Sequence, residues 1–135
     1  MDKKDLKILI ADDDFSTRKI LRAFLDSYGE IDTTVDGEET LFAFKIAHKE
    51  HKPYNLICLD IMMPKMDGQQ VLKEIRAYED EKEIRGRNAV NIIMTTALDD
   101  PKNIMDAFKA QCEAYITKPV EKDEILKAIK KLGLI

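Results

Sequence analysis

A small set of polar side chains recurs at one kind of position, just past or at the end of an apolar run. Asp12 and Asp13 follow Leu6 to Ala11 (LKILIA), and Asp60 follows the run NLICL. Thr95 and Thr96 close the run that begins at Val90, and Lys118 follows Ala114 to Thr117. If the runs are strands of one parallel sheet, all these groups meet at its carboxyl edge. That is where open α/β sheets form their sites, at the reversal of strand order. Three carboxylates meeting there repel one another, by about 4 kcal/mol for a pair ~4 Å apart at an effective dielectric of about 20. Such a cluster carries raised pKa values or binds a cation. An all-oxygen set with few protein ligands suits Mg²⁺, which keeps several waters and takes phosphate oxygens as further ligands. Lys118 offers an ammonium to Asp60 or to a phosphoryl oxygen, and Pro119 restricts its backbone to extended conformations; a Lys-Pro bond can also be cis. Thr96 offers a hydroxyl donor.

The elements that position these groups alternate between strand and helix. Leu6 to Ala11 is a buried strand by its continuous apolar run. Helical spacing follows over Phe15 to Tyr28, with Asp14 and Ser16 as candidate caps and Gly29 as a stop. Glu30 to Val35 alternates as an outer strand. Asp36-Gly37 starts a second helix, with Glu38 and Glu39 at its positive end; it runs to about His51, and Pro53 stops it. Asn55 to Leu59 is a buried strand. Val71, Leu72 and Ile75 mark a third helix, and the charged stretch from Glu79 to Asn88 is either its extension or a solvated loop. Val90 to Thr96 is a buried strand. Asp100-Pro101 reads as a cap followed by proline at the first helical position. Ala114 to Thr117 is a short strand, and Ile125, Leu126, Ile129 and Leu132 form the last helical stripe. This alternation predicts an α/β, doubly wound, five-stranded parallel sheet with helices on both faces.

Composition bounds the function classes. With 135 residues the chain fits one domain, and 44% apolar content is enough for a core. A net charge of -4 lacks the basic balance of a nucleic-acid footprint. The Lys3-Lys4 and Lys130-Lys131 pairs read as solvated surface. No apolar run approaches the ~20 residues that span a bilayer, and Met1 to Asp5 lacks the apolar stretch of a signal peptide, so a cytoplasmic location is expected. Cys58 and Cys112 sit in apolar surroundings, as free buried thiols do. His48 and His51 read as an exposed helical face rather than a metal site, given Lys49, Glu50 and Lys52 beside them.

Four signatures together resemble the receiver domain of two-component response regulators, the CheY-like family. They are Asp12-Asp13, the run Asp60-Ile61-Met62-Met63-Pro64-Lys65-Met66-Asp67-Gly68, Thr96-Ala97 and Lys118-Pro119. The resemblance covers essentially the whole chain and implies the flavodoxin-like strand order 2-1-3-4-5. It implies that Asp60 accepts a phosphoryl group from a phosphohistidine of a sensor kinase or phosphotransfer protein. Asp13, Asp60 and the backbone carbonyl of Met62 would bind Mg²⁺ (or Mn²⁺), with Asp12 acting mainly through a metal-bound water. Thr96 and Lys118 would contact the phosphoryl group, and Tyr115 would follow Thr96 on activation. The face of the fourth helix, fifth strand and fifth helix would meet an unknown protein target. On this reading residues 1–135 are a single receiver domain without an effector domain, a phosphoacceptor rather than an enzyme, with no direct contact to nucleic acid or membrane.

The chemistry is coherent with that implication. A carboxylate is a competent nucleophile for phosphoryl transfer, and the charge on the phosphoryl oxygens is met by positioning and electrostatics. Met62 and Leu98, each two residues beyond a site residue, are apolar and orient no attacking water, so slow hydrolysis of phosphorylated Asp60 is expected. Two other readings compete. A Mg²⁺-dependent phosphohydrolase with an aspartate nucleophile needs a second acid two residues on, where Met62 stands. A pseudo-receiver would have lost some of these groups, and all are present.

Overall fold

Successive residues of the central strands pack into two different cores. Leu9, Ile57, Ile92 and Met94 join one buried cluster, while Ile8, Ile10, Cys58 and Ile93 join another. Alternation along a strand sends neighbours to opposite faces of a sheet, so a strand that is apolar at every position must be covered on both. The computed structural model, described over residues 5–135, shows this arrangement. The strands are β1 (Leu6–Ala11), β2 (Gly29–Thr34), β3 (Leu56–Leu59), β4 (Asn91–Thr96) and β5 (Ala114–Thr117). The helices are α1 (Phe15–Leu25), α2 (Gly37–Lys49), α3 (Gly68–Glu81), α4 (Pro101–Lys109) and α5 (Lys122–Lys131). All strands pair in parallel in the order β2-β1-β3-β4-β5. Phe44, Val71, Leu72, Ile75 and Ala107 from α2, α3 and α4 cover one face. Leu21, Leu25, Ile125 and Ile129 from α1 and α5 cover the other.

Aspartates start four of the helices. Asp14, Asp36, Asp67 and Asp100 each accept a hydrogen bond from the backbone N–H three residues on. A cap of this kind contributes about 1 kcal/mol by satisfying an otherwise orphaned donor. The caps at Asp14, Asp67 and Asp100 matter for the site, because each begins a helix directly after a loop that follows β1, β3 or β4. Gly68 is required where it stands, since a Cβ there would collide with the carbonyl oxygen of Asp60. The first turn of α3 is thereby packed against the backbone of the central acid.

Several expected boundaries move. The first helix ends at Leu25 and tightens into a 3₁₀ turn over Asp26–Tyr28, so β2 begins at Gly29. β3 starts at Leu56 because Asn55 turns its side chain to the edge, accepting from the Lys7 N–H at 2.7 Å. The charged stretch divides: α3 continues to Glu81, Glu83 takes a positive φ of 57°, and a 3₁₀ turn spans Gly86–Asn88. Glu79 departs most from a solvated reading, being 3% exposed. Its carboxylate accepts from Arg76 Nη1 and from the Val90 N–H, both at 2.7 Å. The expected exposed histidine face is also corrected. His51 lies beyond α2 with a φ of 61° and is exposed. His48 is half-buried, with its ring 4.9 Å from that of Phe44. Cys58 and Cys112 are free and buried, and burial pushes the Cys58 thiol up to about 12. The Lys3-Lys4 pair lies outside the described residues.

Candidate functional site

β1 and β3 run side by side, with Ala11 opposite Leu59. Each strand hands its next residue to the same edge, so Asp12 and Asp60 emerge together. The Asp60 N–H donates to the Ala11 carbonyl at 2.9 Å, and the Asp12 N–H donates to the Thr34 carbonyl at 3.1 Å. Asp12 is fully buried, Asp60 nearly so, and Asp13 is open to solvent. One carboxylate oxygen from each of the three lies within 4.8 Å of the others.

Lys118 reaches this cluster from the end of β5. Its Nζ lies 2.8 Å from Asp12 Oδ2 and 3.0 Å from Asp60 Oδ2. Its backbone N–H donates to the Thr96 carbonyl at 2.8 Å, which fixes the lysine to β4, and the Lys118-Pro119 bond is cis. Burial alone would lower the lysine pKa; hydrogen bonds to Asp12 and Asp60 outweigh it, and the pKa is raised. Asp12 moves up as well, because its burial outweighs the pull of Lys118 and of the Asp14 N–H. Thr96 is fully buried, and its Oγ1 accepts from the Leu98 N–H at 3.4 Å. The Met62 side chain is exposed, and its N–H donates to Asp60 Oδ1 at 3.2 Å. The peptide between Ile61 and Met62 therefore lies against the acid.

The donor set fits a hard divalent cation. Three carboxylates against the one ammonium that touches them among the described residues leave two negative charges to balance, and all the donors are oxygens. The three acids are not equivalent. Asp12 has its Oδ1 on the Asp14 N–H at 2.9 Å and its Oδ2 on Lys118. Asp13 carries an exposed carboxylate, and Asp60 has its Oδ2 on Lys118 and its Oδ1 on the Met62 N–H at the longer distance of 3.2 Å.

Residues read from sequence as site members, Asp12, Asp13, Asp60, Met62, Thr96 and Lys118, all lie at this edge. Sequence reasoning missed Arg18 of α1, whose Nη1 donates to the Asp12 carbonyl at 2.8 Å. An arginine inside an amphipathic helix carries no signal of such a contact. It also missed Gln69, whose Nε2 donates to the Asn103 carbonyl at 2.9 Å and ties α3 to α4. Tyr115 is half-buried, and its hydroxyl donates to the Leu98 carbonyl at 2.6 Å. Burial, with the nearby Asp100, pushes that hydroxyl up to about 12, so it remains a donor at neutral pH. A cleft of about 470 Å³ beside His48, Tyr54 and Arg87 opens at the amino-terminal edge of the sheet and touches none of these groups.

Comparisons with known proteins agree with the fold. A family model described as the response regulator receiver domain matches residues 8–130. A probable transcriptional regulator, ycf27, of Galdieria sulphuraria is 42% identical over 120 residues, covering 88% of this chain and 42% of that protein. Regulatory protein VanRB of Enterococcus faecalis is 35% identical over 128 residues, covering 94% of this chain and 52% of that protein. The chain thus spans about half the length of the curated relatives it matches. A solved CheX-CheY-BeF3-Mg²⁺ complex from Borrelia burgdorferi contains a chain with a TM-score of 0.80 and 26% identity, covering 96% of this chain and 90% of that one.

Proposed function

The chain belongs to the family of response regulator receiver domains of two-component signalling, and from that premise we propose that Asp60 is its phosphoacceptor, working with Mg²⁺ or Mn²⁺. One observation carries the reading: Asp12 and Asp60 share the cluster and the Lys118 ammonium, but Asp12 is fully buried with its Oδ1 on the Asp14 N–H at 2.9 Å, whereas Asp60 keeps slight exposure and its Oδ1 has a longer contact, 3.2 Å, with the Met62 N–H. Asp13, Asp60 and the Met62 carbonyl would hold the cation, and Asp12, fully buried with its Oδ1 on the Asp14 N–H, would act through a water. When bound, the cation neutralises charge on the phosphoryl oxygens.

The residues supply the rest. An Asp60 carboxylate oxygen forms a bond to phosphorus as the bond from phosphorus to the donor histidine nitrogen breaks. Lys118 shifts from the carboxylates to a phosphoryl oxygen, and the Thr96 hydroxyl turns from the Leu98 N–H to another. The phosphoryl group carries about -1.5 to -2 charges, but the new bond uses the charge of the Asp60 carboxylate, so the edge of the sheet gains about one negative charge. Movement of Thr96 displaces residues 97–100, and with them the Leu98 carbonyl that holds Tyr115. The donor is a phosphohistidine of a sensor kinase or phosphotransfer protein, and the output is contact with a protein target through α4, β5 and α5. The domain takes part in its own phosphorylation without turning over a separate substrate. No helix among the described residues is long and apolar enough to cross a membrane.

Incubation with a small phosphodonor and Mg²⁺ tests this. A mass gain of one phosphoryl group, lost in Asp60→Asn and blocked by EDTA, is the expected result. Continuous donor turnover would indicate a hydrolase, and no reaction would indicate a binding module.

A further inference from the structure

We infer that Arg18 is a positioning residue for the acidic site, acting through the peptide that joins Asp12 to Asp13. The inference rests on reading Asp12, Asp13 and Asp60 as a cation site. Asp12 is held at every polar atom: its N–H by Thr34, its Oδ1 by the Asp14 N–H, its Oδ2 by Lys118 and its carbonyl by Arg18. Asp13 differs. It is exposed, and among the described residues no hydrogen bond or ion pair holds its carboxylate. Its direction is therefore set by the backbone. The Asp12 carbonyl and the Asp13 N–H belong to one rigid peptide plane. The 2.8 Å bond from Arg18 Nη1 to that carbonyl fixes the plane, and the plane fixes the direction in which Asp13 leaves the chain.

Arg18 is placed to do this because Asp14 caps α1. The cap sets the helix start, and Arg18, one turn in, donates its backbone N–H to the Asp14 carbonyl at 3.1 Å. Its half-buried side chain is then directed back over the loop, with the guanidinium carbon 5.8 Å from the Phe15 ring centre.

Charge and position predict opposite signs. A guanidinium bonded to the Asp12 carbonyl, at the margin of the acidic cluster, repels an incoming cation, so if charge were its whole effect, removal would tighten metal binding. If Arg18 positions Asp13, removal loosens it. The apoprotein is titrated with Mn²⁺, with free ion followed by its EPR signal and Mg²⁺ used as competitor. Wild-type binding that Asp13→Asn loses establishes the site. Arg18→Ala is expected to bind about tenfold more weakly, the lower end of what outer-shell partners of metal ligands contribute. Arg18→Lys, which keeps the charge and a donor, is expected to recover most of that loss. Urea midpoints measured alongside separate this from a role in the fold alone. Arg18→Ala binding as tightly as wild type, or more tightly, overturns the role of Arg18 and leaves the site standing, even if the midpoint falls. A wild-type protein that takes up no Mn²⁺ overturns both.

Discussion

Replacing Lys118 with methionine keeps most of the stem and removes the charge, which isolates what the ammonium does. In the structure that ammonium lies 2.8 Å from Asp12 and 3.0 Å from Asp60. At an effective dielectric of 20, opposite unit charges about 3 Å apart attract by about 5–6 kcal/mol. Much of that gross figure is offset by desolvation of the ions. Removing one partner of a buried pair costs about 3–5 kcal/mol, because the other charge is left without compensation. Here the lysine side chain is 20% exposed and Asp13 opens the cluster to water, so the lower end, about 3 kcal/mol, is expected.

The same removal should help a cation. A ligand at 100 times its Kd stabilises a protein by about 2.7 kcal/mol, and in Lys118→Met the cation no longer competes with an ammonium for the same carboxylates. Urea denaturation in EDTA and in saturating Mg²⁺ reads both effects. The variant should have the lower midpoint in EDTA and gain more from Mg²⁺ than wild type gains. Phosphorylation by a small donor should nevertheless slow, because no ammonium meets the phosphoryl oxygens. Equal midpoints in EDTA, or an equal Mg²⁺ increment in both proteins, would refute the view that Lys118 holds the cluster together when no metal is bound.

Three further outcomes follow from other contacts. Glu79→Ala should cost about 3 kcal/mol in urea melts, since it strands the Val90 N–H and half of the Arg76 pairing; Glu79→Gln should cost about 1–2 kcal/mol, since an amide oxygen can still accept from Val90. A loss well under 1 kcal/mol for Glu79→Ala would mean Glu113, 2.9 Å from Arg76, suffices alone. Met62→Asn combined with Leu98→Glu should speed the decay of phosphorylated Asp60 by about tenfold, less than the ~10²–10⁴ of a fully placed general base, and slower decay would contradict the apolar-shield argument. Burial, opposed by Glu79, holds the His48 pKa below its ordinary 6.5. The unfolded chain therefore takes up the proton first as pH falls, so the His48 contribution is full above 6.5 and is lost as pH drops below it. His48→Gln should flatten the stability profile between about pH 7 and 5, and an unchanged slope would assign it to other groups.

The polar edge of the sheet was legible because its logic is one-dimensional. A buried parallel strand is apolar along most of its length, so a polar residue at or just past its end marks the carboxyl edge; Asp12, Asp60 and Lys118 announce themselves just past a strand, and Thr96 as the last residue of β4. Contacts made across the fold carry no such mark. Glu79 sits in a run of charges typical of solvated surface, and only the return of the chain at Val90 and the approach of Glu113 turn it inward. His48 looks exposed among its charged neighbours, yet the helical turn that carries it also carries Phe44. Arg18 and Gln69 are long side chains bonded to backbone carbonyls, and any residue can supply a carbonyl.

Two tethers tie the acidic edge to one short segment. Tyr115 of β5 donates to the Leu98 carbonyl, and Gln69 of α3 donates to the Asn103 carbonyl. Each donor is coupled to the site by rigid backbone. Gln69 follows the glycine that lets α3 pack on the Asp60 carbonyl, and Tyr115 shares β5 with the residue before Lys118. Both acceptors lie within residues 98–103, on either side of the Asp100 cap that starts α4. A neutral hydrogen bond contributes about 0.5–1.5 kcal/mol net, whereas one to a charged group contributes about 1.5–3 kcal/mol. One new charge-assisted bond from Thr96 to a phosphoryl oxygen is therefore comparable to both tethers together. If Asp60 is phosphorylated as proposed, that one bond is enough to offset what both tethers contribute to holding residues 98–103. By the same arithmetic, breaking one tether removes about half of what that bond would have to offset.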